Sequence, residues 1–476
     1  MNDSLSAPAA DCPRCAEQAK IIVQLQAHVA QLEAQVRELQ ARLHLHSGNS
    51  SLPPSANPPS APTPVAKSPT GRKPGGQPGH PGHHRPRLPP ERVNQVIPHV
   101  PTCCAHCQGS LPEQAGPNDP EPTWHQVAEL PEVLAVVTEH QGQARTCPRC
   151  GHVTWGVIPP EVLAHGFGPN LTATVAFLSG RCHDSKRTVE EIVATVFGVP
   201  LSLGSVANAE QEMAAALAVP YDEARAAVQQ APVKNADETG WAQAGHLCWL
   251  WVAVTSSVAF FQICAGRGRA ALRQLLGDVP QGVVSSDRWS AYGIIDLWWR
   301  QLCWAHLKRD FQKWVDWGPQ TAAMGQAGLA AVQRIFGLWG DFRAGRLDRA
   351  GLRAALDPVC LELYGALEAG LSCPVKKAAR FCRNLLAVYP ALWTFARVEG
   401  VEPTNNHAER TLRLGVLWRK ISFGNHSEAG CRFAERILTT VQTLRLQNRH
   451  VLAYLREALI AHRAGQPAPS LVSFGV

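Results

Sequence analysis

The chain has 476 residues, 45% of them apolar, which allows about three domains and a sizeable core. Lys and Arg outnumber Asp and Glu by 45 to 38, and this net charge of +7 favours an anionic partner without proving one. The N-terminus lacks a secretory signal, and no apolar run approaches the roughly 18 residues of a membrane span. We therefore expect a cytoplasmic protein with no membrane partner, whose cysteines stay reduced.

An apolar heptad repeat lies near the N-terminus. Its members are alternately three and four residues apart: Ile22, Leu25, Val29, Leu32, Val36, Leu39 and Leu43. β-Branched residues at the first heptad position and Leu at the fourth favour a parallel two-stranded coiled coil. Residues 1–47 are thus predicted to contain a dimerisation helix that makes the protein a homodimer or larger. Packing of this helix on its own chain is the alternative.

Residues 48–94 are rich in Pro, Gly and Ser and have no apolar periodicity, so they cannot bury enough surface to fold alone. An acid-free stretch within them carries four cations: Arg72, Lys73, Arg85 and Arg87. The segment can be a solvated linker or an extended arm that lies along DNA phosphates. The two interpretations are compatible.

Residues 95–156 are predicted to form a small zinc-binding module. Two CxxC pairs supply four thiolates for a tetrahedral Zn²⁺ site, which we assign to Cys104, Cys107, Cys147 and Cys150. Such a site would stabilise a module too small for a real core. Cys103 can replace Cys104 as a ligand. A third pair, Cys12 and Cys15, precedes the heptad repeat; a turn without metal is favoured there over an ion shared across a dimer.

Residues 160–230 have a helical pattern. A helix over 188–198 and a second over 205–213 are predicted, with Gly198 as a C-cap and Ser205 as an N-cap. This arrangement fits a helix-turn-helix that reads DNA, and it fits a plain helical hairpin equally well.

From residue 231 the pattern changes to strands, predicted over 233–237, 247–254, 258–264 and 282–287. Asp237 and Asp287 each stand at the end of a predicted strand, where a buried carboxylate is costly unless a metal neutralises it. Turn or N-cap aspartates are the alternative. Glu409 begins a helix that continues with Arg410, Arg413, Arg419 and Lys420, which suits a metal beside phosphates or a solvated helix face.

A set of motifs resembles one family. DET (237–239), SDxxxxY (286–292), CWAHLKRDF (303–311) and NNHAERTLR (405–413) resemble the IS66 family of insertion-sequence transposases. The heptad repeat, SGNSSLPPS, KPGGQPGHPGH and the CxxC pairs also follow in that family's order. The resemblance implies an α/β RNase H-like core over 231–311 and 403–424, a helical insertion over 312–402, and a C-terminal helical region over 425–476.

The resemblance also implies function. Asp237, Asp287 and Glu409 would be the DDE residues that hold two Mg²⁺ (or Mn²⁺) ions, whereas Glu402, Glu428 and Glu435 lie outside the motif. Cys303 and His306 match a C/DxxH signature and would help to fix the metal site or the DNA; a packed structural histidine is the alternative. Arg410, Arg413 and Lys420 are candidate phosphate contacts.

The implied activity is metal-dependent cleavage of DNA at the inverted-repeat ends of a transposable element, followed by strand transfer into target DNA. Small accessory proteins are expected partners, and the nucleoid is the expected location. Two other functions stay open: an inactive zinc and coiled-coil DNA-binding regulator derived from a transposase, and an RNase H-like nuclease acting on RNA or hybrids.

Overall fold

A computed structural model describes residues 13–43, 87–117 and 119–472 of the chain. The chain divides into two units: Thr63–Ala135, and Met1–Pro62 together with Val136–Val476. Residues 87–117 and 119–135, the described part of the smaller unit, contain little regular structure beyond a 3₁₀ turn at Pro90–Arg92. Its described start is held by two hydrogen bonds that the Leu88 backbone exchanges with the Gln126 side chain.

The N-terminal helix α1 spans Pro13–Leu43 and contains the heptad repeat. The side chains at the heptad positions from Ile22 to Val36 are about half exposed, between 48% and 58%. The side chains of Leu39 and Leu43 lie outside the described part, as do Cys12 and the side chain of Cys15. The predicted helix is confirmed, and its exposed apolar stripe leaves pairing with a second copy as a prediction.

A short hairpin opens the C-terminal part of the larger unit. Strand β1 (Ala144–Thr146) pairs antiparallel with β2 (Val153–Trp155), and helix α2 (Pro160–Leu163) follows. Helices then continue in chain order: α3 (Pro169–Phe177), α4 (Lys186–Phe197), α5 (Leu203–Ala216) and α6 (Ala218–Gln230).

Helices α4 and α5 correspond to the predicted helical pair. Gly198 ends α4 with a φ of 67°, a left-handed conformation that glycine adopts without strain, as predicted. The predicted N-cap at Ser205 is wrong. Ser202 caps α5 instead, because its hydroxyl accepts the Ser205 N–H at 3.1 Å and α5 begins two residues earlier. Reading of DNA by this pair stays a prediction.

Five strands form one mixed sheet in the order β5-β4-β3-β6-β7. Their bounds are β3 (Val233–Gln243), β4 (His246–Val254), β5 (Ala259–Cys264), β6 (Val283–Ser286) and β7 (Arg300–Leu302). β3, β4 and β5 pair antiparallel, whereas β6 pairs parallel with β3 and β7 pairs parallel with β6. Helix α7 (Arg269–Leu276) connects β5 to β6. The strands predicted near 247–254, 258–264 and 282–287 are confirmed.

Five helices follow β7 and enclose a second apolar core, in agreement with the predicted helical insertion. They are α8 (Trp304–Trp317), α9 (Pro319–Arg343), α10 (Arg349–Gly370), α11 (Lys376–Leu386) and α12 (Thr394–Arg397). Among the described helices, none combines the length and the apolar character that crossing a membrane requires.

The last helices return to the sheet: α13 (Asn406–Ser422), α14 (Glu428–Leu446) and α15 (Val451–Arg463). Helix α14 and its C-cap residue cover the outer edge of β5 with four polar side chains, which we call the α14 polar row: Glu435, Thr439, Thr443 and the C-cap Gln447. The first three accept the backbone N–H groups of Ile263, Phe261 and Ala259, and Gln447 donates to the Ser257 carbonyl.

The spacing of this row follows from backbone geometry. Four residues of α-helix rise about 6 Å, and two residues of strand rise about 6.8 Å, so every fourth helix residue meets every second strand residue. Alternate N–H groups of an edge strand point outward without a strand partner. The polar row therefore satisfies the buried edge of the sheet that carries the candidate site.

Candidate active site

The two predicted aspartates lie on neighbouring parallel strands. In the pairing of β3 with β6, Asn235 stands opposite Ser285. Asp237 and Asp287 each follow two residues later, so both lie where β6 ends. The prediction that β3 ends at Asp237 is wrong, because β4 keeps pairing with β3 as far as Gln243. Asp287 directly follows β6, as predicted.

Helix α13 brings the third acid, Glu409, in its first turn. Asn405, fully buried before the helix, fastens its start to β3: its Nδ2 donates to the Ala236 carbonyl at 2.8 Å, and its Oδ1 accepts from Asn235 Nδ2 at 3.1 Å. On the other side, His407 Nε2 lies 2.8 Å from the Thr255 carbonyl. These contacts fix the first turn of α13 beside the strand that carries Asp237.

The electrostatics couple the three acids. Burial raises the pKa of Asp237 well above its ordinary range, and the negative charges of Glu238, Asp287 and Glu409 raise it further. Glu409 Oε1 is itself buried and accepts no hydrogen bond from any described residue. A concentration of negative charge with an unsatisfied oxygen is an arrangement that a divalent cation would stabilise.

Cys303 and His306 lie next to this cluster. The Cys303 thiol, a ring nitrogen of His306 and a carboxylate oxygen of Glu409 are all within 4.8 Å of one another, and His306 Nδ1 is 3.5 Å from Glu409 Oε1. Cys303 is buried, its sulfur accepts the Asn405 N–H at 3.2 Å, and burial raises the pKa of its thiol to about 11. Burial and the Arg309 charge lower the pKa of His306. The cysteine therefore packs as a neutral acceptor, and the histidine faces the glutamate.

A second layer of residues that the sequence did not single out supports the aspartates. Glu238 points to the opposite face of β3 from Asp237, since side chains alternate along a strand. Its carboxylate accepts the Tyr292 hydroxyl at 2.8 Å and pairs with Arg267 at 2.7 Å. Glu238 and Tyr292 lie within the quoted DET and SDxxxxY motifs, which was the available signal.

Arg267 connects this layer to Asp287. Its guanidinium lies between the rings of Trp249 and Trp289, 4.7 and 4.1 Å from their centres. Trp289 in turn donates its backbone N–H to Asp287 Oδ1 at 2.8 Å. Arg300, which is buried, donates to the Asp287 carbonyl at 2.9 Å. The loop after β6 is thus held from both sides, and one carboxylate oxygen of Asp287 is fixed by a backbone donor.

A cleft of about 400 Å³ opens beside Asp287. Its lining is mostly charged and comprises Asp287, Arg288, Trp289, His306, Arg309, Asp310 and Lys313. Arg288 is paired with Asp310 at 2.7 Å. The cleft has three cations at its wall, Arg288, Arg309 and Lys313, which suits an anionic partner.

The predicted DNA-contacting cations divide into three groups. Arg410, Arg413 and Lys420 are exposed on α13, and the last two follow Glu409 by 4 and 11 residues, close to whole helical turns. Arg72, Lys73 and Arg85 lie outside the described residues. Arg87 is exposed in the smaller unit, 5.5 Å from the ring centre of Trp124. Arg419 anchors α13 instead, because it donates to Thr239 Oγ1 at 3.0 Å.

The two CxxC pairs form turns with the same backbone pattern, one in each unit. In the first, the Cys104 N–H donates to the Gly109 carbonyl and the Gln108 N–H to the Cys104 carbonyl. In the second, the Cys147 N–H donates to the His152 carbonyl and the Gly151 N–H to the Cys147 carbonyl. Backbone N–H groups within each turn lower the pKa of Cys104 and of Cys147, which favours thiolates. Beside the first turn, the backbone of the exposed Cys103 forms an isolated antiparallel β-bridge with Ser110.

Comparisons with known proteins agree with this geometry. The chain is 25% identical over 416 residues to the uncharacterised protein y4hP of Sinorhizobium fredii. This alignment covers 79% of this chain and 73% of that protein. Residues 5–86 match the model of a family of unknown function. Residues 165–432, which contain the sheet, the three acids and the insertion, match the model of the IS66 family of transposases. The match covers more than half of the chain, which therefore belongs to the IS66 transposase family.

Proposed function

We propose that the chain is a DDE transposase that cuts DNA at the ends of its element and joins those ends to target DNA. The observation that carries the proposal is that three acids far apart in sequence lie on adjoining elements: β3, the loop after β6, and the first turn of α13. Asp237 and Asp287 occupy neighbouring parallel strands, and the charge of Glu409 acts on Asp237. A five-stranded mixed sheet followed by a helix with the third acid supports an RNase H-like core.

The chemistry of the site fits a divalent cation. The charges of Asp287 and Glu409 act against ionisation of the buried Asp237, which added positive charge would relieve, and Glu409 Oε1 accepts no hydrogen bond from the described residues. Mg²⁺ and Mn²⁺ prefer such oxygen ligands, which Asp237, Asp287 and Glu409 would provide. When bound, the metal would activate water or a DNA 3′-OH as the nucleophile and stabilise the departing 3′ oxygen.

The remaining residues of the site would position the acids and the DNA. Trp289 and Arg300 hold the Asp287 loop through backbone hydrogen bonds, and Asn405 holds α13 on the sheet. His306 faces Glu409 Oε1 and would orient it. Arg413 and Lys420 continue the Glu409 face of α13 toward solvent, where they would contact phosphates outside the reacting bond.

Two further parts of the proposal concern the N-terminal third. The turns at Cys104–Cys107 and at Cys147–Cys150 each support a pair of thiolate ligands for Zn²⁺, since each turn already favours the deprotonated sulfur. The exposed apolar stripe of α1 supports pairing of two copies through a coiled coil.

The central experiment measures cleavage of duplexes that carry the inverted repeats flanking the gene. Asp237→Asn, Asp287→Asn and Glu409→Gln should each abolish cleavage in Mg²⁺ or Mn²⁺ while binding of the same duplex in EDTA persists. Glu402→Gln, an exposed change outside the motif, is the matched control and should cut normally.

Three results would contradict the proposal. Cleavage at the wild-type rate by any of the three variants would remove that residue from the site. Degradation of an RNA–DNA hybrid in preference to cutting of the DNA ends would indicate a nuclease. Binding of the ends without cutting by the wild-type chain, in either metal, would indicate a regulator.

A further inference from the structure

Helix α11 differs in charge from the other long helices of the insertion. Between Glu368 and Glu399 the chain contains no acid. Within this stretch, the single helix α11 carries four cations: Lys376, Lys377, Arg380 and Arg383. Its neighbour α10 carries both signs, with Arg349 and Arg353 against Asp357, Glu362 and Glu368. A solvated helix face ordinarily mixes the two charges, as α10 does, so the single sign of α11 needs a reason.

All four cations of α11 are exposed, and we call them the α11 basic face. The opposite side of the helix is buried through Ala378, Phe381, Cys382 and Leu385. The basic side is therefore held in one orientation by the core of the insertion. Lys377 is held further by the partly exposed ring of Trp317, 5.4 Å from its ammonium.

An aromatic cluster connects the α11 basic face to the cleft beside Asp287. The ring of Phe381 lies 4.9 Å from the guanidinium of Arg288, which lines the cleft. The same ring is 5.5 Å from Trp314, which contacts Trp317 at 5.7 Å. The cleft cation Lys313 lies 5.7 Å from the Trp314 ring. The aromatic cluster therefore has the cleft cations Arg288 and Lys313 on one side and the α11 basic face on the other.

We propose that the α11 basic face binds the phosphate backbone of duplex DNA leaving the candidate site, an inference that rests on the proposed transposase function. Seven residues separate Lys376 from Arg383, about 10 Å of helix, which matches about three phosphates of one strand. Cations that contact phosphates fix the position of a duplex and do not read its sequence. Binding by this face is therefore independent of base sequence.

The test measures binding of a fluorescent duplex of arbitrary sequence to the full chain in EDTA, between 50 and 200 mM KCl. Glu409→Gln is the background, so that cleavage plays no part. The salt dependence is the slope of the logarithm of the binding constant against the logarithm of the KCl concentration. The triple variant Lys377→Gln/Arg380→Gln/Arg383→Gln should make this slope shallower by about 2.7, at about 0.9 per lost phosphate contact. Over this fourfold change in salt, the affinity of the parent should therefore fall about 40-fold more than that of the variant.

Two matched variants complete the test. Arg343→Gln/Arg353→Gln/Arg456→Gln removes the same charge from exposed positions on α9, α10 and α15 and should keep the parental salt dependence. Arg353 is 17 residues from Gly370, the α10 residue that packs against Cys382 of α11, so it lies about 25 Å away along the helix. Lys377→Arg/Arg380→Lys/Arg383→Lys keeps every charge and should bind as the parent does.

An equal salt dependence in the basic-face variant and in the remote control would overturn the inference, and would leave an acidic protein surface as the partner of α11. Because binding is measured without metal, this outcome is separate from a failure of the proposed function, which only the cleavage assay reports. A lowered salt dependence in the charge-keeping variant would also overturn it, since counterion release depends on the number of phosphates that Lys or Arg neutralise.

Discussion

The α14 polar row makes a sharp prediction about stability. Thr439 and Thr440 are adjacent and both fully buried, but their hydroxyl groups differ in one respect. Thr439 Oγ1 accepts the Phe261 N–H at 2.9 Å, whereas Thr440 Oγ1 has no hydrogen-bond partner among the described residues. Valine has the shape of threonine without the oxygen, so Thr439→Val and Thr440→Val are matched changes at neighbouring positions.

The two changes should shift stability in opposite directions. Thr439→Val leaves the buried Phe261 N–H without an acceptor, which costs about 1–3 kcal/mol. Thr440→Val removes a hydroxyl whose burial is already uncompensated, and should stabilise by about 1 kcal/mol. The free energies of unfolding of the two variants should therefore differ by about 2–4 kcal/mol.

Urea unfolding of the full chain, followed by tryptophan fluorescence, measures the difference. Trp241 and Trp251 are buried in the same core as β5 and α14 and report on its unfolding. With a denaturant dependence of about 1–3 kcal/mol per molar urea, the two midpoints should differ by about 0.7 M or more. Coincident midpoints, or a lower midpoint for Thr440→Val than for Thr439→Val, would refute the assignment of the helix side chains as partners of the strand edge.

Two further predictions concern charge and assembly. Burial raises the pKa of Glu435 from an ordinary 4.5 to about 7. The protonated side chain therefore stabilises the folded state by about 3 kcal/mol relative to the ionised one; this stabilisation is complete below pH 4.5 and is lost as the pH rises through 7. Glu435→Gln keeps the acceptor for Ile263 and should unfold like the wild type near pH 5 and be more stable near pH 8; parallel pH profiles would contradict this. Native mass spectrometry of the full wild-type chain should find a dimer with one zinc ion per copy. The Cys147→Ser variant should contain no zinc, and the Val29→Lys variant should be a monomer. A wild-type chain that is single and free of zinc would exclude both proposals.

The sheet was predictable where one strand is buried on both faces. The apolar run at 247–254 is confirmed as β4, and Asp287 follows β6 as expected. The extent of β3 was not predictable, because residues 238–243 lack an apolar alternation and owe their strand to pairing with β4. The hairpin turn that sets this pairing is Ala244–Gly245, with φ values of 49° and 79°. Alanine is uncommon at such a position, so the turn carried no signal.

The acids of the candidate site could be predicted from sequence motifs, but the residues that hold them in place could not. Asp237, Asp287 and Glu409 fall in short motifs, whereas Arg267 lies in a loop with no motif of its own. Its role depends on Trp249, Trp289 and Glu238, which only the folded sheet brings together. In the same way, Ser202 and Ser205 are equivalent locally, and the path of the chain into α5 decided which one became the cap.

The covered edge of β5 limits how copies of this protein can associate. An open outer strand offers unpaired N–H and C=O groups, and two identical subunits can merge their sheets by aligning such strands. Here side chains from α14 already occupy those groups, one rung for every second strand residue. A subunit docking on that side would meet a helix in place of a free backbone, so two copies cannot merge their sheets through β5.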